Sequence, residues 1–178
     1  MAATEEHTVL PVPTFDKPVK VLIVVSPYYS DIAAGLLTGA KAALEAAGAH
    51  YDVVEMPGAL EIPTAISISD RRSNFDGYVA LGCVIRGETT HYETVCNDSS
   101  RALQMMGLQG LCIGNGILTV ENKAQAEVRA DPAGQNKGGG AAMAALHLVA
   151  LARKWTSTPT GIGFKPRGED TLMAGDLA

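Results

Sequence analysis

Four short apolar runs recur along this chain at intervals of a few dozen residues, and each has the length of one β-strand. Three of the four are almost continuously apolar, without a regular alternation of apolar and polar residues. Such runs are typical of parallel strands that helices cover on both faces. The four runs are residues 19–26, 51–56, 77–85 and 111–118.

The segments between these runs predict helices. After the first run, Ser30 or Asp31 is a candidate N-cap, and Gly48 stands where a helix would end. Between them, apolar residues recur with the helical period, which predicts one buried face. Further helices are predicted over residues 59–72, 91–106, 121–129 and 140–155.

Strands and helices in this alternation predict an α/β fold. We expect a three-layer α/β/α sandwich around a four-stranded parallel sheet of flavodoxin-like strand order. The apolar segment 8–13 does not fit the alternation, and we expect it to be an edge strand that pairs with a neighbouring subunit. The chain then divides into an N-terminal arm (1–18), one domain (19–155) and a flexible tail (156–178).

Composition narrows the functional classes. With 178 residues, 47% of them apolar, the chain has the size and apolar content of one globular domain. Its formal net charge of −5 disfavours nucleic acid and anionic membranes as partners. Its three cysteines lack C-x-x-C spacing, and no apolar run approaches the roughly 20 residues of a membrane span. We therefore expect reduced thiols, no zinc site and a cytoplasmic location.

Polar clusters follow the strands, at the sheet edge where parallel α/β folds bind ligands. Tyr28 and Tyr29 come after the first run and offer a stacking surface for a flat ring, although ordinary packing is the commoner role. The turn at 57–63 offers backbone amides and the Glu61 carboxylate to a polyol. The preference of acidic residues for a helix N-terminus explains Glu61 equally well.

The richest cluster lies in residues 82–98, between a predicted strand and a predicted helix. Free amides at a helix start, with the hydroxyls of Thr89 and Thr90 beside them, suit a phosphate group. His91 in the same turn is a candidate for proton transfer near neutral pH, and a purely structural histidine is an equally weighted alternative.

A last cluster contains Arg129 and Lys137, which flank a loop of turn-forming residues. On composition alone, both are interpreted as surface charges. The glycines at 138–140 are interpreted as a permissive hinge, because the chain contains neither a P-loop nor a GxGxxG motif.

Several motifs in order resemble the lumazine synthase family of riboflavin biosynthesis, from about residue 19 to about residue 155. They are PGALEIP (57–63), GCVIRGETTHYETVCN (82–97), LTVEN (118–122), Arg129 and NKG (136–138). The family condenses 5-amino-6-ribitylaminouracil with 3,4-dihydroxy-2-butanone 4-phosphate to give 6,7-dimethyl-8-ribityllumazine, releasing phosphate and water. The resemblance implies the same transferase activity here, without a cofactor or a catalytic metal.

The resemblance also implies which residues bind the ring and its ribityl chain. Tyr28 matches an aromatic residue that stacks on the pyrimidine, and Val84 and Ile85 match residues that contact the ring. Asn115 stands where many members carry a phenylalanine that covers the ring. The ribityl-binding turn matches Gly58, Ala59, Leu60 and Glu61.

The same resemblance implies a phosphate site and a proton-transfer group. His91 matches the proton-transfer histidine, Arg129 a phosphate-binding arginine and Lys137 a basic residue at the pocket. In the family, the part near Arg129 and Lys137 comes from the adjacent subunit of a pentamer, so the site lies at an interface. The phosphate-binding turn matches Glu88, Thr89 and Thr90.

Two departures from the family pattern leave alternatives open. Asn115 makes the expected pocket wall more polar, and Gly140 stands where an acidic residue commonly follows NKG. A non-catalytic lumazine- or flavin-binding module on the same fold is therefore a second hypothesis. A structural role is a third and compatible one, because the family also forms hollow shells of sixty chains, pentamers or pairs of pentamers.

Overall fold

The computed structural model describes residues 10–156 of the chain. In this part the strands are β1 (Lys20–Val25), β2 (His50–Glu55), β3 (Gly77–Ile85) and β4 (Ile113–Val120). The helices are α1 (Ser30–Ala46), α2 (Glu61–Arg72), α3 (His91–Leu108), α4 (Lys123–Ala130) and α5 (Lys137–Thr156). Among these residues, no helix has both the length and the apolar character that crossing a bilayer requires.

The strands form one parallel sheet in the order β2-β1-β3-β4. This arrangement confirms the predicted α/β sandwich and its flavodoxin-like strand order. β1 and β3 occupy the centre of the sheet, so their carboxyl ends lie side by side. Ligand sites in such sheets lie beyond these ends.

The core consists of two apolar layers, one on each side of the sheet. Alternate residues of β1 enter opposite layers: Val21 and Ile23 pack towards α1 and α5, whereas Leu22 and Val24 pack towards α2 and α3. Both faces of β1 are therefore covered, which explains why its sequence is apolar throughout. β2 lies at an edge and is half-exposed, which explains its mixed sequence.

Several element boundaries differ from the sequence predictions by one to three residues. β4 begins at Ile113, two residues after the predicted start, because Leu111 and Cys112 still belong to the connection from α3. Neither Ser30 nor Asp31 caps α1: the N-cap residue is Tyr29, which makes no side-chain capping bond. The predicted helix end at Gly48 is confirmed by its positive φ of 67°.

The interpretation of residues 138–140 as a hinge is wrong. α5 begins at Lys137, so all three glycines are helical. A Cβ on Gly138 would lie 2.0 Å from the Leu36 carbonyl oxygen, which means that α5 packs directly against the backbone of α1. The Asn136 side chain accepts a 3.1 Å hydrogen bond from the Gly139 amide and stabilises the helix start. Gly138 therefore serves close helix packing, whereas Gly140 has open space around it.

The N-terminal arm forms no strand within residues 10–15 of the single chain. Leu10 and Val12 are exposed there, 60% and 47% respectively. Pairing of this segment with a neighbouring subunit stays a prediction, and residues 8 and 9 lie outside the described part. The predicted flexible tail, beyond residue 156, lies outside it as well.

Arg153 near the end of α5 holds the arm against the domain. Its guanidinium donates 2.8 Å hydrogen bonds to the carbonyls of Lys17 and Pro18, and a 3.0 Å bond to the Asp76 carboxylate. Asp76 in turn accepts a 2.8 Å bond from the Lys20 amide at the start of β1. The Arg153 side chain therefore joins the arm, α5 and the sheet. This junction lies at the amino-terminal ends of the strands.

Replacing Arg153 by alanine should lower the free energy of unfolding by about 1 to 3 kcal/mol, because it removes several hydrogen bonds to a charged group. The measurement is thermal or urea unfolding at one fixed protein concentration, since assembly links stability to concentration. Arg101→Ala, at an exposed arginine of α3, is the matched control. Equal midpoints for the two variants would show that the contacts of Arg153 do not stabilise the fold.

Candidate active site

A cleft of about 440 Å³ opens beyond the carboxyl ends of β1 and β3. Its walls come from the connections that follow β1, β2 and β3, together with the first turns of α2 and α3. It is lined by Ser26, Tyr28, Tyr29, Gly58, Ala59, Leu60, Glu61, Cys83, Val84, Ile85, Gly87, Thr89, His91, Tyr92 and Val95. This is the position at which a parallel α/β sheet binds ligands.

Tyr28 and Tyr29 form the wall that follows β1. Their rings meet edge to face, with centroids 5.1 Å apart and planes at 72°. Tyr28 is 73% exposed, whereas Tyr29 is half-buried against the core. The face of Tyr28 is therefore free within the described chain to stack on a flat ring, and Tyr29 supports it from the side.

The Pro57–Glu61 turn (57–61) forms the wall that follows β2. The buried Ser26 hydroxyl donates a 3.4 Å hydrogen bond to the Pro57 carbonyl, which fixes the turn beside β1. The Glu61 carboxylate lies over Gly58, where a Cβ would come within 2.8 Å of its oxygen. A carboxylate and backbone groups thus face the same part of the cleft, an arrangement that suits the hydroxyls of a polyol.

The third wall joins the end of β3 to the start of α3. Val84 and Ile85 are half-buried and give this part of the cleft an apolar surface. Thr90 is the N-cap residue of α3 but makes no side-chain capping bond, so the first amides of the helix stay available. Thr89 and His91 line the cleft at this helix start, where an anion is favoured.

The half-buried Cys83 and Tyr29 are neutral near pH 7. Burial raises the pKa of the Cys83 thiol to about 11, and the negative charge of Asp31 adds to this rise. Burial also raises the pKa of Tyr29, with smaller contributions from Tyr28 and Cys83. A protonated thiol is a poor nucleophile, so the chemistry of Cys83 is that of an apolar wall.

Asp31 in the first turn of α1 is held by an ion pair. Its carboxylate lies 2.8 Å from Nζ of Lys123 in α4, and the hydrogen bond from Lys123 lowers the pKa of Asp31. Within residues 10–156, no three His, Cys, Asp or Glu side chains come together in a geometry that would hold a metal ion.

The structure brings most of the expected site residues into this cleft and leaves five outside its lining. Glu88 and Thr90 lie exposed in the turn before α3, beside the lining residues. Asn115 is exposed on the edge strand β4, and its Oδ1 accepts a 3.0 Å hydrogen bond from the Ile117 amide. Arg129 and Lys137 belong to α4 and α5.

These two cations do not face the cleft of their own chain. Arg129 is half-buried, and its guanidinium donates a 3.0 Å hydrogen bond to the Gln125 carbonyl in the same helix. Lys137 is the exposed first residue of α5. Among the residues that line the cleft there is no lysine or arginine.

Sequence reasoning assigned no site role to several lining residues: Ser26, Cys83, Gly87, Tyr92 and Val95. Gly87 was visible as a member of a polar cluster. Tyr92 follows His91 directly, but a pocket aromatic cannot be told from a packed one by its spacing. Ser26, Cys83 and Val95 occupy positions typical of core residues, directly after β1, within β3 and within α3, so their sequence positions did not indicate a place in the cleft.

Comparison with known proteins identifies the family. A family model described as 6,7-dimethyl-8-ribityllumazine synthase matches residues 18–153 of the chain. The chain belongs to this family. The resemblance drawn from the motifs is therefore confirmed, together with the transferase class and the place in riboflavin biosynthesis that it implies.

Relatives in the lumazine synthase family match the chain over most of its length. The 6,7-dimethyl-8-ribityllumazine synthase of Jannaschia sp. (strain CCS1) is 59% identical over 166 residues, 93% of each chain. Its counterpart in Novosphingobium aromaticivorans is 53% identical over 137 residues, 77% of this chain and 99% of the relative. That of Bartonella henselae is 54% identical over 142 residues, 78% and 92% of the two chains.

Proposed function

We propose that this chain condenses 5-amino-6-ribitylaminouracil with 3,4-dihydroxy-2-butanone 4-phosphate in the cleft beyond β1 and β3. The observation that carries this proposal is the grouping, in one cleft, of an exposed aromatic face, a turn that presents a carboxylate with backbone groups, and a helix start without a side-chain cap. Each part fits one portion of the two substrates. Three walls that match three chemical groups support a two-substrate enzyme more than a module that binds flavin alone.

In this proposal, the pyrimidine stacks on Tyr28 against the apolar surface of Val84 and Ile85. The ribityl hydroxyls meet Glu61 and the backbone of the preceding turn. The butanone phosphate lies at the start of α3, between the exposed hydroxyls of that turn and His91. The two substrates then share a cleft of about 440 Å³, which holds their reacting atoms together.

The proposed site takes Arg129 and Lys137 from an adjacent subunit. A phosphate dianion needs a cation, yet the described lining contains no lysine or arginine. Arg86, close to the turn, has both sides of its guanidinium engaged by Glu93 and Glu121. Cations from outside the chain would supply the missing charge, which supports a homopentamer, or an assembly of pentamers, with its sites at the interfaces.

The proposed reaction begins when the 5-amino group of the pyrimidine attacks the ketone and water leaves to give an imine. Loss of inorganic phosphate follows, and His91 moves the proton that this elimination requires. The resulting enol tautomerises, and the ribitylamine nitrogen closes the second ring with loss of another water. Because amine and ketone already react with each other, holding them together contributes most, with effective molarities that reach about 10⁵ to 10⁸ M.

The direct test is incubation of the purified protein with both substrates. We expect lumazine fluorescence to appear together with one equivalent of inorganic phosphate. Incubation with either substrate alone is the control and should give neither signal. Binding of the ribityl substrate without turnover would instead favour the non-catalytic module.

Assembly and location form the second part of the proposal. The apolar side chains of the arm and of the half-exposed edge strand β2 are surfaces that a neighbouring subunit would cover. Sedimentation velocity separates pentamers, pentamer pairs and larger shells, and a monomer at micromolar concentration would contradict the shared site.

The three free cysteines fit the proposed cytoplasmic location, which cell fractionation tests.

Arg129→Ala should weaken the use of the phosphorylated substrate. Loss of a hydrogen bond to a charged group costs about 1.5 to 3 kcal/mol, which corresponds to roughly a 10- to 150-fold rise in KM for that substrate. KM for the ribityl substrate should stay within about twofold, because its contacts lie elsewhere in the cleft. Steady-state kinetics with each substrate varied in turn measures both values, and an unchanged KM for the butanone phosphate would remove Arg129 from the site.

A further inference from the structure

Arg86, the residue after β3, is the centre of a contact cluster beside the cleft. Its guanidinium bonds the Glu93 carboxylate in the first turn of α3, and its Nε donates a 2.7 Å bond to Glu121 after β4. The guanidinium carbon also lies 4.1 Å from the ring centroid of Tyr92, which lines the cleft. Arg86 does not line the cleft itself, so any role in the reaction acts through its neighbours.

The turn that Arg86 borders has few contacts of its own. Among residues 10–156, the backbone of 87–90 makes one hydrogen bond to a helix, a long 3.4 Å bond that the Thr90 carbonyl accepts from the Thr94 amide of α3, and none to the sheet. Thr90 gives α3 no side-chain cap, and the hydrogen bond that the His91 amide donates to the Thr89 hydroxyl oxygen is long, at 3.4 Å. The position of this helix start therefore depends on what holds the residues on either side of it.

Arg86 contacts the protein on both sides of the 87–90 turn, at the sheet before it and at α3 after it. Its amide donates a 2.9 Å hydrogen bond to the Val120 carbonyl, which fixes it to the sheet. Its side chain then reaches across the turn to Tyr92 and Glu93, the two residues that follow His91. A planar guanidinium can bond two carboxylates and stack on a ring at once, which a lysine ammonium cannot do.

We propose that Arg86 is a positioning residue, which fixes the first turn of α3 so that His91 and the available amides meet the phosphorylated substrate. This inference rests on the proposed function of the cleft. Displacement of a reacting group by about 1 Å can cost about 10²-fold in rate, so a loosened turn has a large kinetic effect. The ribityl substrate, bound by other walls, is affected little.

The test compares Arg86→Gln and Glu93→Gln with the wild-type enzyme. For each variant we expect kcat/KM for the butanone phosphate to fall about 10- to 100-fold, while KM for the ribityl substrate stays within about twofold. The double variant should lose no more than Arg86→Gln alone, because Glu93→Gln removes only a contact that Arg86→Gln already breaks. A loss caused only by unpaired negative charge would shrink in the double variant, and that result would overturn the proposal.

The matched control is Lys20→Gln. Lys20 also combines an ion pair, 2.9 Å from Asp52, with a ring contact, 4.6 Å from the centroid of Phe75, but it lies at the opposite end of the sheet. We expect its kinetics to equal those of the wild type. If Lys20→Gln lost as much kcat/KM for the butanone phosphate as Arg86→Gln, surface contacts of this kind would act through stability alone. Arg86 would then have no positioning role.

A second measurement separates this inference from the proposed function. Hydrogen exchange of the amides of residues 91–95 should be faster in Arg86→Gln than in the wild type, and unchanged in Lys20→Gln. This measurement needs no turnover. A wild type without activity would refute the proposed function, whereas unchanged exchange in Arg86→Gln would refute the positioning role whatever the activity.

Discussion

Gly138→Ala should abolish stable folding or lower the free energy of unfolding by about 3 kcal/mol or more. The added methyl group would lie 2.0 Å from the Leu36 carbonyl oxygen and 2.8 Å from its Cα. All three of the nearest atoms belong to the α1 backbone, so no side-chain rotation relieves the clash. Because α1 and α5 form one layer of the sandwich, separating them opens the core between them.

Gly140→Ala is the control for this prediction. It lies in the same helix, two residues further on, and a Cβ there meets nothing within 4 Å. Both positions lie in the first turn of α5, so each substitution gains at most the helix-interior difference of about 1 kcal/mol. We therefore expect Gly140→Ala to be as stable as the wild type or slightly more stable in urea unfolding. Equal free energies of unfolding for Gly138→Ala and Gly140→Ala would show that α5 does not pack on α1 as described.

The sequence predicted the sheet well because burial on both faces leaves a strong pattern. β1 and β3 are covered by helices on each side, so their runs are apolar and their bounds nearly agree with the structure. The start of β4 was less visible, because Leu111 and Cys112 are apolar without belonging to the strand. Apolar character reports burial, whereas the strand begins where residue pairing with β3 begins, at Ile113.

The glycines after Lys137 show a different limit of sequence reasoning. Three successive glycines have low helix propensity, which favours a flexible interpretation. In the structure, the close approach of α1 requires glycine at 138, and tertiary packing outweighs propensity. The distance between two helices that are far apart in sequence is not visible in the local pattern.

The candidate site was predictable as a set of walls but not as a closed pocket. Each wall follows a strand, so the position of Tyr28, Glu61 and His91 at one edge followed from the parallel fold alone. The anchoring role of Arg86 did not, because it depends on partners seven and 35 residues away. The position of Arg129 relative to a second chain depends on assembly, which a single-chain pattern does not encode.

His91→Ala should lower kcat by about 10² to 10⁴, the usual contribution of a positioned acid or base, and should leave measurable turnover. The turnover that remains in His91→Ala reflects the alignment of two substrates that react with each other without a catalyst. Single-turnover and steady-state assays of lumazine formation measure the fall in kcat and the turnover that remains. His50→Ala, at an exposed histidine at the start of β2, should retain full activity. Complete inactivity of a correctly assembled His91→Ala enzyme would reverse this ranking of the two effects.

Mixing His91→Ala with Arg129→Ala subunits tests whether one site uses both chains. If His91 of one subunit faces Arg129 of the next around a ring, random 1:1 assembly leaves about a quarter of the sites with both groups intact. Co-refolded mixtures should then recover about a quarter of the wild-type activity, far above either variant alone. If the His91 and Arg129 of a site came from the same chain, every site in the mixture would still lack one of the two side chains. Activity would then stay at the average of the two variants, since exchanging neighbours would repair nothing.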